Sequence, residues 1–437
     1  MLLLVHQAAF LLGSIVAPPA SIPSRHTPVN ATWDADTARV SQRASYVRMD
    51  FIVFSHLRWD FVYQRPQHLL SRCAREHRVF FWEEPVYEPG IEPTVNISPR
   101  EDGLVIAVPM LPNGIPESAN SDAQRALLAS FLLDHDIEEY IAWYYTPMAM
   151  NFTDEIAPSA VVYDCMDELS AFRGAPPGLT QAEAALFTAA DLVFTGGQSL
   201  YESKRRRHPS VHLFPSSIDV DHFSKARTIK TDPAEQASIA YPRLGYCGVI
   251  DERLDLELLA GMADLRPEWQ IVMIGPVVKI SESDLPRRGN IHYLGPKAYA
   301  ELPSYLAGWD VALLPFARNE STRFISPTKT PEYLAAGCPA ISTPITDVVR
   351  PYGELGLVSI GETADDFVRL AESWLAARSP EDEQARLRSV DAFLARSSWN
   401  RTWTAMKQLI IQAVRKNDDL AHTQYGTQVE STTATAD

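Results

Sequence analysis

The feature that most constrains the fold is an alternation that runs through the chain twice. Short apolar stretches rich in β-branched and aromatic residues alternate with helical stretches. The first, residues 49–55 (MDFIVFS), reads as a buried parallel strand. Gln64-Arg65-Pro66 then opens a helix, with Pro66 near its first position, where a missing N–H costs nothing. Strands are predicted over 78–81, 104–109, 140–145, 160–164, 191–195 and 211–215, and helices over 123–133, 181–190 and 199–207. Residues 225–239 are polar and read as a linker. The pattern restarts with strands over 240–248, 270–275, 291–294, 310–315 and 338–343. Helices are predicted between them over 254–263, 299–306 and 328–336, and 381–416 is mostly helical. Such alternation is the signature of α/β architecture. The expectation is two Rossmann-like, doubly wound domains facing across a cleft, because open α/β sheets bind ligands beyond the carboxyl ends of their strands. The expected layout is an N-terminal domain over 49–224, a linker over 225–239, a second domain over 240–400, a C-terminal helix over 401–416, and a disordered polar tail over 417–437.

The chain has 437 residues, enough for two large domains or three smaller ones. It is 46% hydrophobic and 22% charged, a globular balance. The net charge of −16 disfavours a general nucleic-acid binder, so no nucleic-acid partner is expected. Cys73, Cys165, Cys247 and Cys338 form no CxxC pair, which fits buried thiols in a reducing compartment better than a disulfide framework or a zinc site. No apolar run reaches the ~18–20 residues of a membrane span. Residues 1–48 lack the basic start of a secretory signal, and read as a dispensable extension or, alternatively, a weak membrane anchor.

There is no GxGxxG, Walker A, HExxH or GxSxG motif, which lowers the weight of dehydrogenase, P-loop, zincin and α/β-hydrolase readings. The DxD triplets at Asp34/Asp36 and Asp219/Asp221 are weak signals for a metal. The sharp signal is Ser326-Pro327-Thr328-Lys329-Thr330-Pro331-Glu332-Tyr333-Leu334-Ala335-Ala336-Gly337-Cys338-Pro339. It starts a helix whose free N–H groups and partial positive charge suit a diphosphate. Lys329 adds a full charge. Glu332 can accept hydrogen bonds from two neighbouring hydroxyls, as on a ribose, and Gly337 ends the helix. A capped helix carrying solvated charges explains these residues equally well.

These residues resemble the C-terminal signature of retaining glycosyltransferases of the two-domain GT-B fold, near the large family 4 (group 1) set. In that signature E-x7-E is followed by a small-residue helix end and a proline. Phe214-Pro-Ser-Ser-Ile-Asp219-Val-Asp-His-Phe223 is similar to the family's interdomain segment. Gly245-Tyr-Cys-Gly248-Val-Ile-Asp-Glu-Arg253 is similar to the first strand and loop of the nucleotide domain, and Ala190-Asp191-Leu-Val-Phe-Thr195 to a strand of the first domain. His56-Leu-Arg-Trp-Asp60, Gln64-Arg-Pro-Gln-His68 and Tyr163-Asp-Cys-Met-Asp167-Glu resemble a bacterial subset. The chain also departs from the family. Phe324 stands where the first glutamate would hold donor-sugar hydroxyls, with Asn319, Glu320 or Thr322 as possible substitutes. Arg58-Trp59-Asp60 replaces a glycine-rich loop, and Asp164 stands at a position that is often histidine.

The resemblance implies transfer of a sugar from a UDP- or GDP-sugar to a hydroxyl on a glycan or lipid-linked acceptor, with retention of configuration. The setting it implies is bacterial cell-surface polysaccharide synthesis. Arg253 and Lys329 would face the departing diphosphate, with no metal and no cofactor required. Gly248, Asn319, Thr322, Ser326, Pro327, Thr328 and Glu332 would complete the donor site. Asp164 and Asp167, after a strand, would orient the acceptor or take its proton; equally, they could cap a helix or pair with cations. Arg65, His68, Gly196 and Gly197 are expected on the acceptor side; equally, Arg65 and His68 could form a solvated or packed helix start, and the two glycines could serve packing. The basic run Lys204-Arg-Arg-Arg207-His208 reads either as a solvated helix end or as a contact with anionic lipid. A cytoplasmic location is expected, with peripheral contact at the inner face of the plasma membrane as one form of it. A sugar-nucleotide epimerase or hydrolase on the same fold, or a degenerate transferase serving as a scaffold, are the rival readings.

Overall fold

The first sheet is built on β1 (Asp50–Ser55), whose six residues, DFIVFS, are all buried. A computed structural model of the chain describes residues 48–100, 103–376 and 379–433, with side chains to 423. The expected extension over 1–48 lies outside the described residues apart from Arg48, as do Asp34 and Asp36. From Met49 onward the chain forms one compact unit.

β1 is followed by β2 (Arg78–Glu83), β3 (Val86–Glu88), β4 (Thr94–Pro99), β5 (Leu104–Pro112), β6 (Tyr140–Tyr144), β7 (Ala160–Cys165), β8 (Leu192–Thr195) and β9 (Val211–Leu213). The strand order is β3-β5-β2-β1-β6-β7-β8-β9, parallel except for β4, which pairs antiparallel with β5. The helices are α1 (Arg65–Ala74), α2 (Glu117–Asp134), α3 (Leu179–Ala189) and α4 (Gln198–Lys204). In α1 the Gln67 side chain accepts a hydrogen bond from the Gln64 N–H at 3.0 Å, and Pro66 occupies the first turn.

The second sheet contains β10 (Arg243–Cys247), β11 (Gln270–Ile274), β12 (Ile291–Tyr293), β13 (Val311–Leu314), β14 (Ala340–Ser342) and β15 (Ser359–Ile360) in the order β12-β11-β10-β13-β14-β15. Around it lie α5 (Leu256–Leu265), α6 (Leu302–Leu306), α7 (Lys329–Ala336), α8 (Ala364–Leu375) and α9 (Pro380–Leu394), with α10 (Trp399–Thr433) at the end. In each domain the first strand lies mid-sheet with later strands on both sides. The residues just past β1 and β10, His56 and Gly248, therefore occupy topological switch points, where such sheets hold ligands.

Two boundaries differ from the sequence expectation. Residues 225–239 are not a free linker. Ala226 and Ile239 enter the second domain's core, and the buried Gln236 amide binds the Tyr305 carbonyl at 3.0 Å and the Trp309 indole N–H at 3.0 Å. The final helix runs unbroken to Thr433 through the expected tail. Its Trp399, Trp403, Met406 and Ile410 close one face of the first sheet against Phe51, Val53 and Trp143. The apolar spacing of α10 therefore serves the first domain, and fully burying each such side chain is worth ~1.5–3 kcal/mol. The chain thus passes between the domains twice, and the two passages touch through the hydroxyls of Ser217 and Ser397, 2.8 Å apart.

Candidate functional site

α7 starts just after a loop that follows β13, and Gly337 ends it with φ +90°. Lys329 and Glu332 lie one turn apart on one face, with Nζ and Oε2 3.3 Å apart and only 15% and 6% of the side chains exposed. Burial works against the Lys329 charge, but the Glu332 carboxylate holds its pKa above the ordinary lysine value. Burial pushes the Glu332 carboxyl up, partly offset by Lys329. Lys329 Nζ also reaches the Thr328 hydroxyl at 3.3 Å. Opposite stands Gly248, with φ +158°. A Cβ there would lie 2.6 Å from the Tyr246 hydroxyl and 3.4 Å from Lys329 Cε, so only glycine keeps this wall open beside the lysine.

Arg253 is held by Asp251 through three hydrogen bonds of 2.7–3.0 Å and keeps 27% of its side chain exposed. Burial opposes its charge and the pairing with Asp251 more than restores it, so the guanidinium pKa is raised. The cation faces the first domain, 5.7 Å from the Phe172 ring centre, while Lys279 Nζ sits 4.9 Å from the same ring. Lys279 has a left-handed backbone, φ 63°.

The other expected donor residues make contacts that hold the loop. The Asn319 side chain caps the turn over Glu320–Thr322 by accepting from Thr322 N–H at 3.2 Å, and its Nδ2 donates to the Glu252 carbonyl at 3.2 Å. Thr322 is 1% exposed and its hydroxyl donates to the Ala317 carbonyl. Phe324, at the glutamate position of the resemblance, packs on the first domain's core. The Ser326 carbonyl accepts from the Ser216 hydroxyl at 3.1 Å, and half-buried Pro327 leads into Thr328.

In the first domain, Arg65 and Asp164 are not open to a ligand. The guanidinium forms a bidentate pair with the carboxylate at 2.8–3.1 Å and donates to the Phe214 carbonyl at 2.7 Å, with the side chains 2% and 0% exposed. Burial opposes the Arg65 charge, yet Asp164 raises its pKa. A carboxylate with no exposed surface cannot meet an acceptor, which corrects the catalytic expectation for Asp164. Asp167 is half-buried, and burial raises its carboxyl to about 6 against the pull of Arg253 and Lys279 across the cleft. His68 stacks on Trp399 at 4.5 Å and meets Tyr299 edge-on at 5.4 Å. Burial, with Arg72 and Lys329 nearby, lowers its pKa to about 2, so it is neutral rather than a cation for phosphate.

Gly196 and Gly197 also have a packing explanation. A Cβ on Gly196 would meet the Met166 carbonyl oxygen at 2.6 Å, and one on Gly197 would meet Asp347 Oδ2 at 2.1 Å and Ser326 Cβ at 2.7 Å. In the basic run, Lys204 is buried between Glu168 and Glu183 at 2.7 and 2.8 Å, and Arg207 lies over Phe187 at 4.1 Å and pairs with Glu183. Among the described residues Arg205 and Arg206 form no salt bridge of this kind. Asp219 caps the turn Val220–Phe223 by accepting from His222 N–H at 3.3 Å, a structural use of that DxD. The four cysteines are free and buried. Among the described residues no helix is long and apolar enough to cross a membrane.

Sequence reasoning left out His56 and Thr330 as site residues. His56 follows β1 directly, and burial, with Lys279 opposite, lowers its pKa to about 4. Its Nδ1 and the Thr330 hydroxyl, in the first turn of α7, are buried without hydrogen-bond partners. Position relative to β1 and to the start of α7 was the available signal.

Residues 255–408 match a family model described as glycosyl transferase-like. The chain is 24% identical over 278 residues to TuaH of Bacillus subtilis (strain 168), provisionally named a teichuronic acid biosynthesis glycosyltransferase; the match covers 58% of this chain and 68% of that protein. Among solved structures, the sucrose-phosphate synthase of Thermosynechococcus elongatus superposes with a TM-score of 0.64 at 13% identity, covering 84% of this chain and 99% of that one. Anabaena HepE in complex with UDP and glucose superposes with a TM-score of 0.58 at 11% identity, covering 84% and 100%.

Proposed function

We propose that this chain, a glycosyltransferase of the GT-B fold, moves a sugar from a UDP- or GDP-sugar to a hydroxyl of a glycan or lipid-linked acceptor in bacterial cell-surface polysaccharide synthesis. The observation that carries the donor reading is the buried Lys329–Glu332 pair at the start of α7, facing the open wall at Gly248. Charge develops on the diphosphate as the sugar C1–O bond breaks. Lys329, Arg253 and the positive end of the α7 dipole supply fixed positive charge there, and no reorganisation is needed during the reaction. Glu332 receives the ribose hydroxyls, releasing Lys329 toward phosphate. A bond forms from the acceptor oxygen to C1, with retention, and the acceptor proton passes to a carboxylate or to the departing phosphate. We assign this carboxylate role to Asp167, at the carboxyl end of the first sheet and near Arg253, and not to the buried Asp164. TuaH's name supports the cell-surface setting, and HepE's complex supports UDP.

Calorimetric titration with UDP and with GDP tests the reading. One of them binds the wild type, and Lys329→Ala weakens that binding at least tenfold. A wild type that binds neither overturns it.

A further inference from the structure

The loop that leads into α7 is fastened to the other domain from several sides. Phe324 packs on the first domain's core, the Ser216 hydroxyl donates to the Ser326 carbonyl at 3.1 Å, and Gly197 leaves no room for a methyl group against Ser326 Cβ. Asp347 completes the set. It lies in the short helix Thr346–Val348, after β14, and is 5% exposed. Its Oδ1 accepts from the backbone N–H of Ser199 at 2.9 Å, across 148 residues of chain. Ser199 lies in the first turn of α4, whose own N-cap residue is Gly197 and has no side chain to offer. Helix N-termini leave unpaired N–H groups, and a side-chain acceptor is normally supplied locally. Here it comes from the opposite domain. Asp347 Oδ2 lies against the Gly197 backbone, 2.1 Å from where a Cβ would stand, so the contact also requires a glycine. The exposed pair of Arg350 with Glu202 at 3.5 Å adds little at the rim.

We propose that Asp347 is a positioning residue: by capping α4 in trans it holds the Gly196-Gly197 turn against Ser326 and so fixes the loop that presents Lys329. Domain closure and assembly of the cationic site are then one event. Nucleotide binding needs only the second domain, whereas transfer needs the loop seated. This rests on the donor reading given above for Lys329, but the cap itself can be measured without nucleotide.

Hydrogen exchange at the start of α4, in the full chain without nucleotide, reads the cap directly. Asp347→Ala raises exchange at the Ser199 amide at least tenfold. Asp347→Asn keeps an acceptor oxygen and stays within threefold of wild type. In hydrolysis of the UDP- or GDP-sugar whose nucleotide binds, Asp347→Ala lowers kcat at least tenfold with KM within threefold, and Asp347→Asn restores kcat. Gly197→Ala, which pushes the carboxylate away from the other side, reproduces the Asp347→Ala result with Asp347 and Ser199 both unchanged in sequence. Unchanged exchange in Asp347→Ala, or unchanged kcat, overturns the proposal. A wild type that binds neither UDP nor GDP, yet shows the exchange difference, overturns the donor reading and leaves the trans cap standing.

Discussion

Arg65 and Asp164, 99 residues apart in sequence, form a bidentate ion pair with 2% and 0% of their side chains exposed. The arginine also binds the Phe214 carbonyl at 2.7 Å, tying α1 and β7 to the segment that leaves the first domain. Removing one member leaves a buried charge without its partner, which costs about 3–5 kcal/mol. Asp164→Ala and Arg65→Ala each lower unfolding free energy by that order in urea titration. The double variant is less damaging than the sum of the two. A wild-type unfolding midpoint in Asp164→Ala contradicts the structural role.

On the donor reading proposed above, Glu332 and Lys329 have opposite effects on diphosphate binding. Lys329→Ala removes attraction for phosphate, whereas Glu332→Gln removes a competing carboxylate as well as an acceptor for hydroxyls. Inorganic diphosphate therefore binds Glu332→Gln more tightly than wild type, while the nucleoside diphosphate gains less or loses affinity. Titration calorimetry with both ligands separates the two effects.

Among the groups that shape the pH dependence, Asp167 and His68 act in opposite directions. Asp167 is raised from 3.8 to about 6, so between these values the folded protein holds a proton that the unfolded chain releases. Stability falls as pH rises through that window, and Asp167→Asn removes this slope. His68 is lowered from 6.5 to about 2, so the unfolded chain takes up a proton that the folded state refuses. Its contribution is present above pH 6.5 and is lost as pH falls, and His68→Phe, which keeps a ring against Trp399, flattens that limb. Melting temperatures of wild type and each variant across pH 4–7 check both signs.

The final helix belongs to the first domain's core. A chain ending after Ser397 loses Trp399, Trp403, Met406 and Ile410 from the face of the first sheet and fails to fold that domain. A chain ending after Asp419 keeps them, together with the Asn417 amide on the Ser159 carbonyl at 3.1 Å, and melts within a few degrees of the full chain. Thermal unfolding of the two truncations decides this.

The sequence revealed the fold where strands are buried on both faces. β1, β7 and β10 read as short, largely apolar stretches and lie mid-sheet. It concealed β4, mostly exposed along an antiparallel edge, and β15, only two residues long. The Lys329–Glu332 pair was legible because a spacing of three on a helix fixes proximity. The Arg65–Asp164 pair was not, because nothing local links α1 to β7. The run from Lys204 to His208 misled for the same reason: Glu183, which draws Lys204 and Arg207 inward, lies a full helix and strand upstream. Phe324 was legible as a missing glutamate, but its packing on the opposite domain was not.

The contact between the Ser217 and Ser397 hydroxyls puts both covalent tethers along one edge. A rotation of one half that keeps this contact moves each point in proportion to its distance from it. In such a rotation the side chains beside the contact shift least, and the parts of the two halves farthest from it separate most.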